Sequence, residues 1–324
     1  NSWVNNFSVL THLYGLPNYT EVDPTPSMAV FFFFFFGMCL GDVIYGLVLA
    51  LFGFITAAYL DISDSTKLFL RMLAWGGVGA ILAGIFTGSW LGDLFDYLPP
   101  SLSFLTNLKN SLAVVDPLND PLTMLIFSLG VGIVQILVGI MLAVVKEWKR
   151  GNYAVAIMDH LSWFVFLISI VMYIVGITAS PLLASVALPL IIGSVIFLVA
   201  TQGRHQKNII MKFLSGLLSL YDLVSYLGDT LSYSRLFALG LSSGIIAMLA
   251  RTLASLFSGS PYIGWLIALL VALAFHLFNL LMSGLGAFVH SARLQYVEFF
   301  TKFYENGGRD FKPFGHRTKY IKIS

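Results

Sequence analysis

Hydrophobic positions in this chain neither alternate with polar ones nor recur as the narrow stripe of a surface helix; they fill continuous runs. Seven runs can be read, at roughly residues 28–59, 72–92, 122–145, 161–179, 182–200, 211–257 and 262–300. A bilayer core about 30 Å thick needs about 20 apolar residues in a helix, and each run is close to that length or beyond it. A closed β-barrel, the other spanning solution, reads as alternating segments of about ten residues, and no such pattern occurs. The runs predict an all-α polytopic membrane protein.

Three runs are too long for one crossing. A straight helix over 28–59 would measure about 48 Å. Gly37-Met38-Cys39-Leu40-Gly41-Asp42 in its middle could break it into two short helices, giving eight membrane helices; a single tilted helix is the alternative. As single helices, 211–257 would span about 70 Å and 262–300 nearly 60 Å, so both must tilt strongly or extend beyond the bilayer. Phe31 to Phe36 reads as lipid-facing filler. Gly76, Gly84, Gly88 and Gly92 form a small-residue face suited to close helix packing.

Composition agrees with the pattern. The 324 residues are 58% hydrophobic and 10% charged, with mean hydropathy +0.86; soluble domains are nearer 25% charged. A net charge of +2 without a dense basic tract argues against nucleic acid as a partner. Cys39 is the only cysteine, so a disulfide framework and a thiol metal site are excluded. His160, His205, His276 and His290 lack metal-ligand spacing, and GxxxxGK[ST], GxSxG and HExxH are absent. The expectation is a non-catalytic chain with neither metal nor cofactor. It opens on Asn1 without a leader-type segment, which suggests the C-terminal part of something longer.

Charge orients the runs. Lys67 and Arg71, then Lys146, Lys149 and Arg150, then Arg204, Lys207 and Lys212, and finally Arg309, Lys312, Arg317, Lys319 and Lys322 flank every second connection. By the positive-inside rule these are cytoplasmic, giving six crossings from residue 60 onward and a cytoplasmic C-terminus. Residues 1–66 hold no Lys or Arg, so charge leaves the first run unplaced; the break would make both termini cytoplasmic.

Arg235 stands near the middle of its run, too far from either end to snorkel. At helical periodicity Ser225, Gly228, Ser232, Leu239 and Ser242 share its face, which is small and polar. A guanidinium stays protonated at biological pH, so this is a fixed positive charge, unless Asp222, Asp229 or Asp42 pairs with it. Arg293 repeats the arrangement beside Asn279, Ser283, Gly286 and His290, although it could snorkel. Arg251, six residues from its run's end, reads as snorkelling, and His276 and His290 as polar interior residues. Asp222, Asp229 and Glu298 lie toward the cytoplasmic ends, as lining of a watery path or as solvated helix ends.

The residues 226–241, YLGDTLSYSRLFALGL, resemble the stator subunit of rotary V-type and A-type ATPases, called subunit a or subunit I, in its prokaryotic form. Leu13-Tyr14-Gly15-Leu16-Pro17 with Asp23-Pro24-Thr25-Pro26 resembles that family's lead-in. Phe36 to Gly46 resembles its first-helix FGDxGxG element, and His290 to Glu298 its HSxRLxxVE element. The resemblance implies a lead-in at 1–27, a membrane bundle of about six helices at 28–200, and at 201–324 a long tilted helix pair with a basic cytoplasmic tail. That pair would cradle a proteolipid rotor ring. An N-terminal domain outside this chain would meet peripheral-stalk and central-stalk-socket subunits. Arg235 and Arg293 would match the family's two arginines. Asp222, Asp229, Ser232, Ser242, Ser243, Asn279, Ser283, His290 and Glu298 would line two aqueous half-channels for H⁺ or Na⁺. Ser243 and Ser283 stand where eukaryotic members carry histidine and glutamate.

Elementary electrostatics supports that mechanism. A carboxylate carried through lipid must be neutral, whereas opposite a fixed arginine it ionises. A rotor must therefore release its ion before passing Arg235 and take up another afterwards. The competing reading is a secondary transporter that binds an anionic substrate at Arg235. Such proteins often carry internal repeats, and the Arg235 and Arg293 runs share neither order nor spacing.

Overall fold

The computed structural model describes residues 2–18, 21–97, 103–204, 208–258 and 263–308. His205, Lys207, residues 259–262 and the basic residues from Arg309 onward lie outside the described residues. The short helices α1 (Ser2–Asn5) and α2 (Ser8–Tyr14) precede α3 (Thr25–Leu40), α4 (Val43–Tyr59) and α5 (Asp64–Thr87). A loop with α6 (Ser103–Leu112) leads to α7 (Pro121–Lys149). Next, α8 (Tyr153–Val155) runs through a π turn into α9 (Ser162–Ala179), followed by α10 (Pro181–Gln202). Then come α11 (Ile209–Ser219), α12 (Asp222–Ser232), α13 (Ser234–Ser258) and α14 (Gly264–Arg293), which continues as a π turn over Leu294–Phe299. Among the described residues there is no strand.

Among the described residues, six spans are long and apolar enough to cross a membrane: α5, α7, α8–α9, α10, α11–α13, and α14 with its extension. The protein is a multi-pass membrane protein. The helices α3 and α4 are apolar but shorter, at 16 and 17 residues.

The first run breaks at Gly41, whose φ of +52° suits glycine. Asp42 caps α4, accepting from the N–H groups of Ile44 (2.9 Å) and Tyr45 (3.1 Å). Its second oxygen accepts from Ser89 Oγ and Gly92 N, each at 3.1 Å, which ties the turn to the far end of α5. The helices run out and back beside α5, with Phe36 over Gly76 and the turn against Gly84. Contact between α4 and α5 is backbone-close. A methyl on Gly46 would stand 2.6 Å from the Gly77 carbonyl oxygen, and one on Gly77 2.7 Å from that of Gly46.

Three expectations need correction. The phenylalanine run is core rather than lipid-facing filler: Phe32, Phe35 and Phe36 are fully buried, while Phe34 is 41% exposed. Phe35 packs edge-on to Tyr233, with ring centroids 5.7 Å apart, and Phe32 edge-on to Phe288 at 6.4 Å. Arg251 does not snorkel; its Nε and Nη2 bind the two carboxylate oxygens of Asp93 at 3.0 and 2.8 Å. Finally, 211–257 is three helices rather than one, interrupted at Leu220–Tyr221 and at Tyr233. Tyr233 fits at that second break because Gly132 of α7 leaves room for its ring, and its hydroxyl donates to Gln135 Oε1 at 2.7 Å.

The lead-in is stitched to the end of α14. Tyr296 donates to the Leu10 carbonyl at 2.9 Å, and the N–H groups of Gly307 and Gly308 bind the Leu16 carbonyl. Lys146 at the end of α7 completes the joint, contacting Glu21 (2.9 Å), Glu305 (3.0 Å) and the Phe303 carbonyl (2.8 Å).

Candidate functional site

Two polar clusters lie along the α13–α14 contact. The first gathers at the basic end, where α12 gives way to α13 and α14 enters its π turn. Arg235 occupies the first turn of α13, half-buried, and its buried Nη1 has no hydrogen-bond partner. None of Asp222, Asp229 and Asp42 pairs with it. Asp42 is spent on the α4 cap, Asp229 binds Lys302, and Asp222 is exposed at the start of α12.

Across from Arg235, the π turn rotates Glu298 inward, and its side chain lies beside Ser232 within electrostatic reach of Arg235, Arg293 and Asp229. Glu298 is 2% exposed, and its Oε2 also lacks a partner. His290 is half-buried, with Nδ1 unpartnered, and feels both arginines. Arg293 itself is exposed, as is Ser242.

The second cluster lies about two turns farther along α13 and at least three turns farther along α14. Asn279, fully buried on α14, donates its amide to the Ser243 carbonyl (2.9 Å) and to the Tyr45 hydroxyl (3.1 Å). It accepts from Ser283 Oγ at 2.9 Å. Tyr45 contacts His276 Nδ1 at 2.7 Å. The Tyr45 hydroxyl thus links Asn279 of α14 to His276 one turn earlier on the same helix. Ser243 Oγ is buried without a partner.

Five of the six unpartnered buried side-chain atoms among the described residues belong to Arg235, Ser243, His290, Gln295 and Glu298 on these two elements. An unsatisfied buried polar atom is costly. They are concentrated in one band along α13 and α14, in the interior of the described residues. Chemically, the arrangement offers a fixed cation flanked by a carboxyl on one side and a hydrogen-bonded polar chain on the other.

Several residues here were not singled out from sequence. Gln135, the one amide in α7, donates to Gln295 Oε1 at 2.8 Å, and its position in an apolar run was the available signal. Tyr45 and Lys302 join the site through the fold. His276 was read as an interior residue, and its spacing of three from Asn279 hinted at the shared face.

Residues 220–316 match the V-type ATPase 116kDa subunit family. The chain is 33% identical to the A-type ATP synthase subunit I of Methanocaldococcus jannaschii over 98% of its own length and 48% of the relative's. It is 33% identical to that of Pyrococcus horikoshii over 99% and 47%, and 26% identical to the V-type ATP synthase subunit I of Borreliella burgdorferi over 88% and 47%. The chain thus spans about half the length of the curated relatives it matches.

Proposed function

The chain belongs to the V-type ATPase 116kDa subunit family, and from that premise we propose that it is the ion-translocating part of a rotary ATPase stator. On this reading it is a non-catalytic subunit of the cell membrane with eight crossings, both termini cytoplasmic, and a long tilted pair formed by α12–α13 and α14. The pair faces a ring of proteolipids, whose carboxylates exchange H⁺ or Na⁺ with two aqueous half-channels. Contacts with peripheral-stalk and central-stalk subunits fall to the part of the relatives' length outside the match.

The observation that carries this reading is the band of unpartnered polar atoms centred on Arg235. A ring carboxylate arriving there would pair with the accessible part of the half-buried Arg235 guanidinium. The positive charge favours the ionised form of that carboxylate, so the ion leaves before contact and is replaced after it. Glu298 and Ser232 would line the inner half-channel, with Asp222 at its mouth. Ser243, Asn279, Ser283, Tyr45 and His276 would line the outer one, with His290 between. Arg235 bars cations from passing directly between the two, since a like charge must be crossed in a site of low dielectric.

The test is ATP-driven ion uptake by the intact complex in vesicles, with assembly checked by copurification. Arg235→Ala should abolish uptake. Arg235→Lys should nearly do so, because lysine lacks the planar fork and loses its charge readily on burial. Arg293→Lys, at an exposed site, should retain appreciable activity. Normal uptake by assembled Arg235→Ala would overturn the proposal.

A further inference from the structure

We infer that Lys302 is a positioning residue that withdraws Asp229 from the inner half-channel and leaves Glu298 as the carboxyl that exchanges ions there; this rests on the stator reading above. Lys302 follows Glu298 by one turn, and its Nζ donates to Asp229 Oδ2. The same ammonium lies 4.3 Å from the centre of the Tyr226 ring. Tyr226 and Asp229 are three residues apart on α12, so the cation is seated between a carboxylate and an aromatic face of one helix. The two charged side chains are only 14% and 20% exposed, unlike a loose surface pair. On its other side Lys302 lines a polar cavity of about 180 Å³ at the basic end of the bundle.

Asp229 lies within electrostatic reach of Glu298, so its state of pairing bears on any ion passing there. A carboxylate in contact with an ammonium offers a passing cation little net charge. An unpaired one would hold the ion, and an unpaired Lys302 would repel it. Breaking a shielded pair from one side leaves an uncompensated charge, whereas replacing both partners by neutral groups can be nearly neutral. Asp229 and Lys302 therefore function as one neutral unit.

The experiment measures ATP-driven uptake by the intact complex as a function of ion concentration on the ATP side. Asp229→Asn should raise the half-saturating concentration about tenfold, and Lys302→Gln should lower it about tenfold while slowing the maximal rate. The double variant Asp229→Asn/Lys302→Gln should return to within about twofold of the parent, and Lys302→Arg should stay close to it. A double variant as impaired as Asp229→Asn alone would make Asp229 itself an ion-exchanging acid and overturn the inference. So would singles that change assembly without moving the half-saturating concentration. Arg235→Ala in the same assay separates the two levels: its normal uptake would remove the stator reading on which this rests.

Discussion

Gln135 donates its side-chain amide to Oε1 of the Gln295 side chain at 2.8 Å, and both glutamines are fully buried. The bond joins α7 to the π turn that carries Glu298, while the Gln135 oxygen holds the Tyr233 hydroxyl at the start of α13. One amide thus fixes the two elements that flank Arg235.

Replacing Gln135 by Leu should destabilise the protein by about 1–3 kcal/mol for each buried partner left unsatisfied. Thermal unfolding in detergent would read this. Adding Tyr233→Phe should recover part of the loss, because the orphaned hydroxyl disappears. No recovery would mean the Tyr233 bond contributes nothing.

Phe35→Ala should cost about 3–5 kcal/mol, the range for emptying a buried aromatic site. Phe34→Ala, one position along at an outward-facing site, should cost much less. Equal losses in the same unfolding assay would contradict the packing of α3 against Phe288 and Tyr233.

Arg251 and Asp93 meet through two parallel hydrogen bonds, a geometry lysine cannot reproduce. A double-mutant cycle with Arg251→Ala and Asp93→Ala should give a coupling of about 1–3 kcal/mol, and Arg251→Lys should lose most of it. Zero coupling would return Arg251 to a freely snorkelling side chain.

The Lys146 ammonium holds the Glu305 carboxyl below the usual range, and Arg150 adds to this. A lowered carboxylate contributes its full stabilisation above its unfolded value, about 4.3, and loses it as pH falls through the folded one. Limited proteolysis near 303–308 should therefore accelerate on acidification below about pH 4. Glu305→Gln should be cut faster at neutral pH, with a smaller acid step.

Much of this was legible in the chain. A lone guanidinium mid-run has few places to go, and Gly41 followed by Asp42 is a helix stop followed by a cap. The phenylalanines were misread because lipid and protein interior are equally apolar, so hydropathy cannot tell which face meets which. Arg251 was misread because its partner is 158 residues away in the loop after α5. Asp229 looked like an open acid for a similar reason: its partner Lys302 is 73 residues away, just past the π turn that ends α14. Periodicity assumes 3.6 residues per turn, and the site departs from that rule.

The unpartnered band around Arg235 also bears on how long the subunit persists alone. Each orphaned buried atom is a debit in the folded state that a matching polar neighbour would cancel. Whatever satisfies those atoms binds the native fold and not the unfolded chain, so it raises the free energy of unfolding by linkage. On the stator reading, assembly and folding then share one equilibrium, and the assembled subunit should resist unfolding in detergent better than the isolated one.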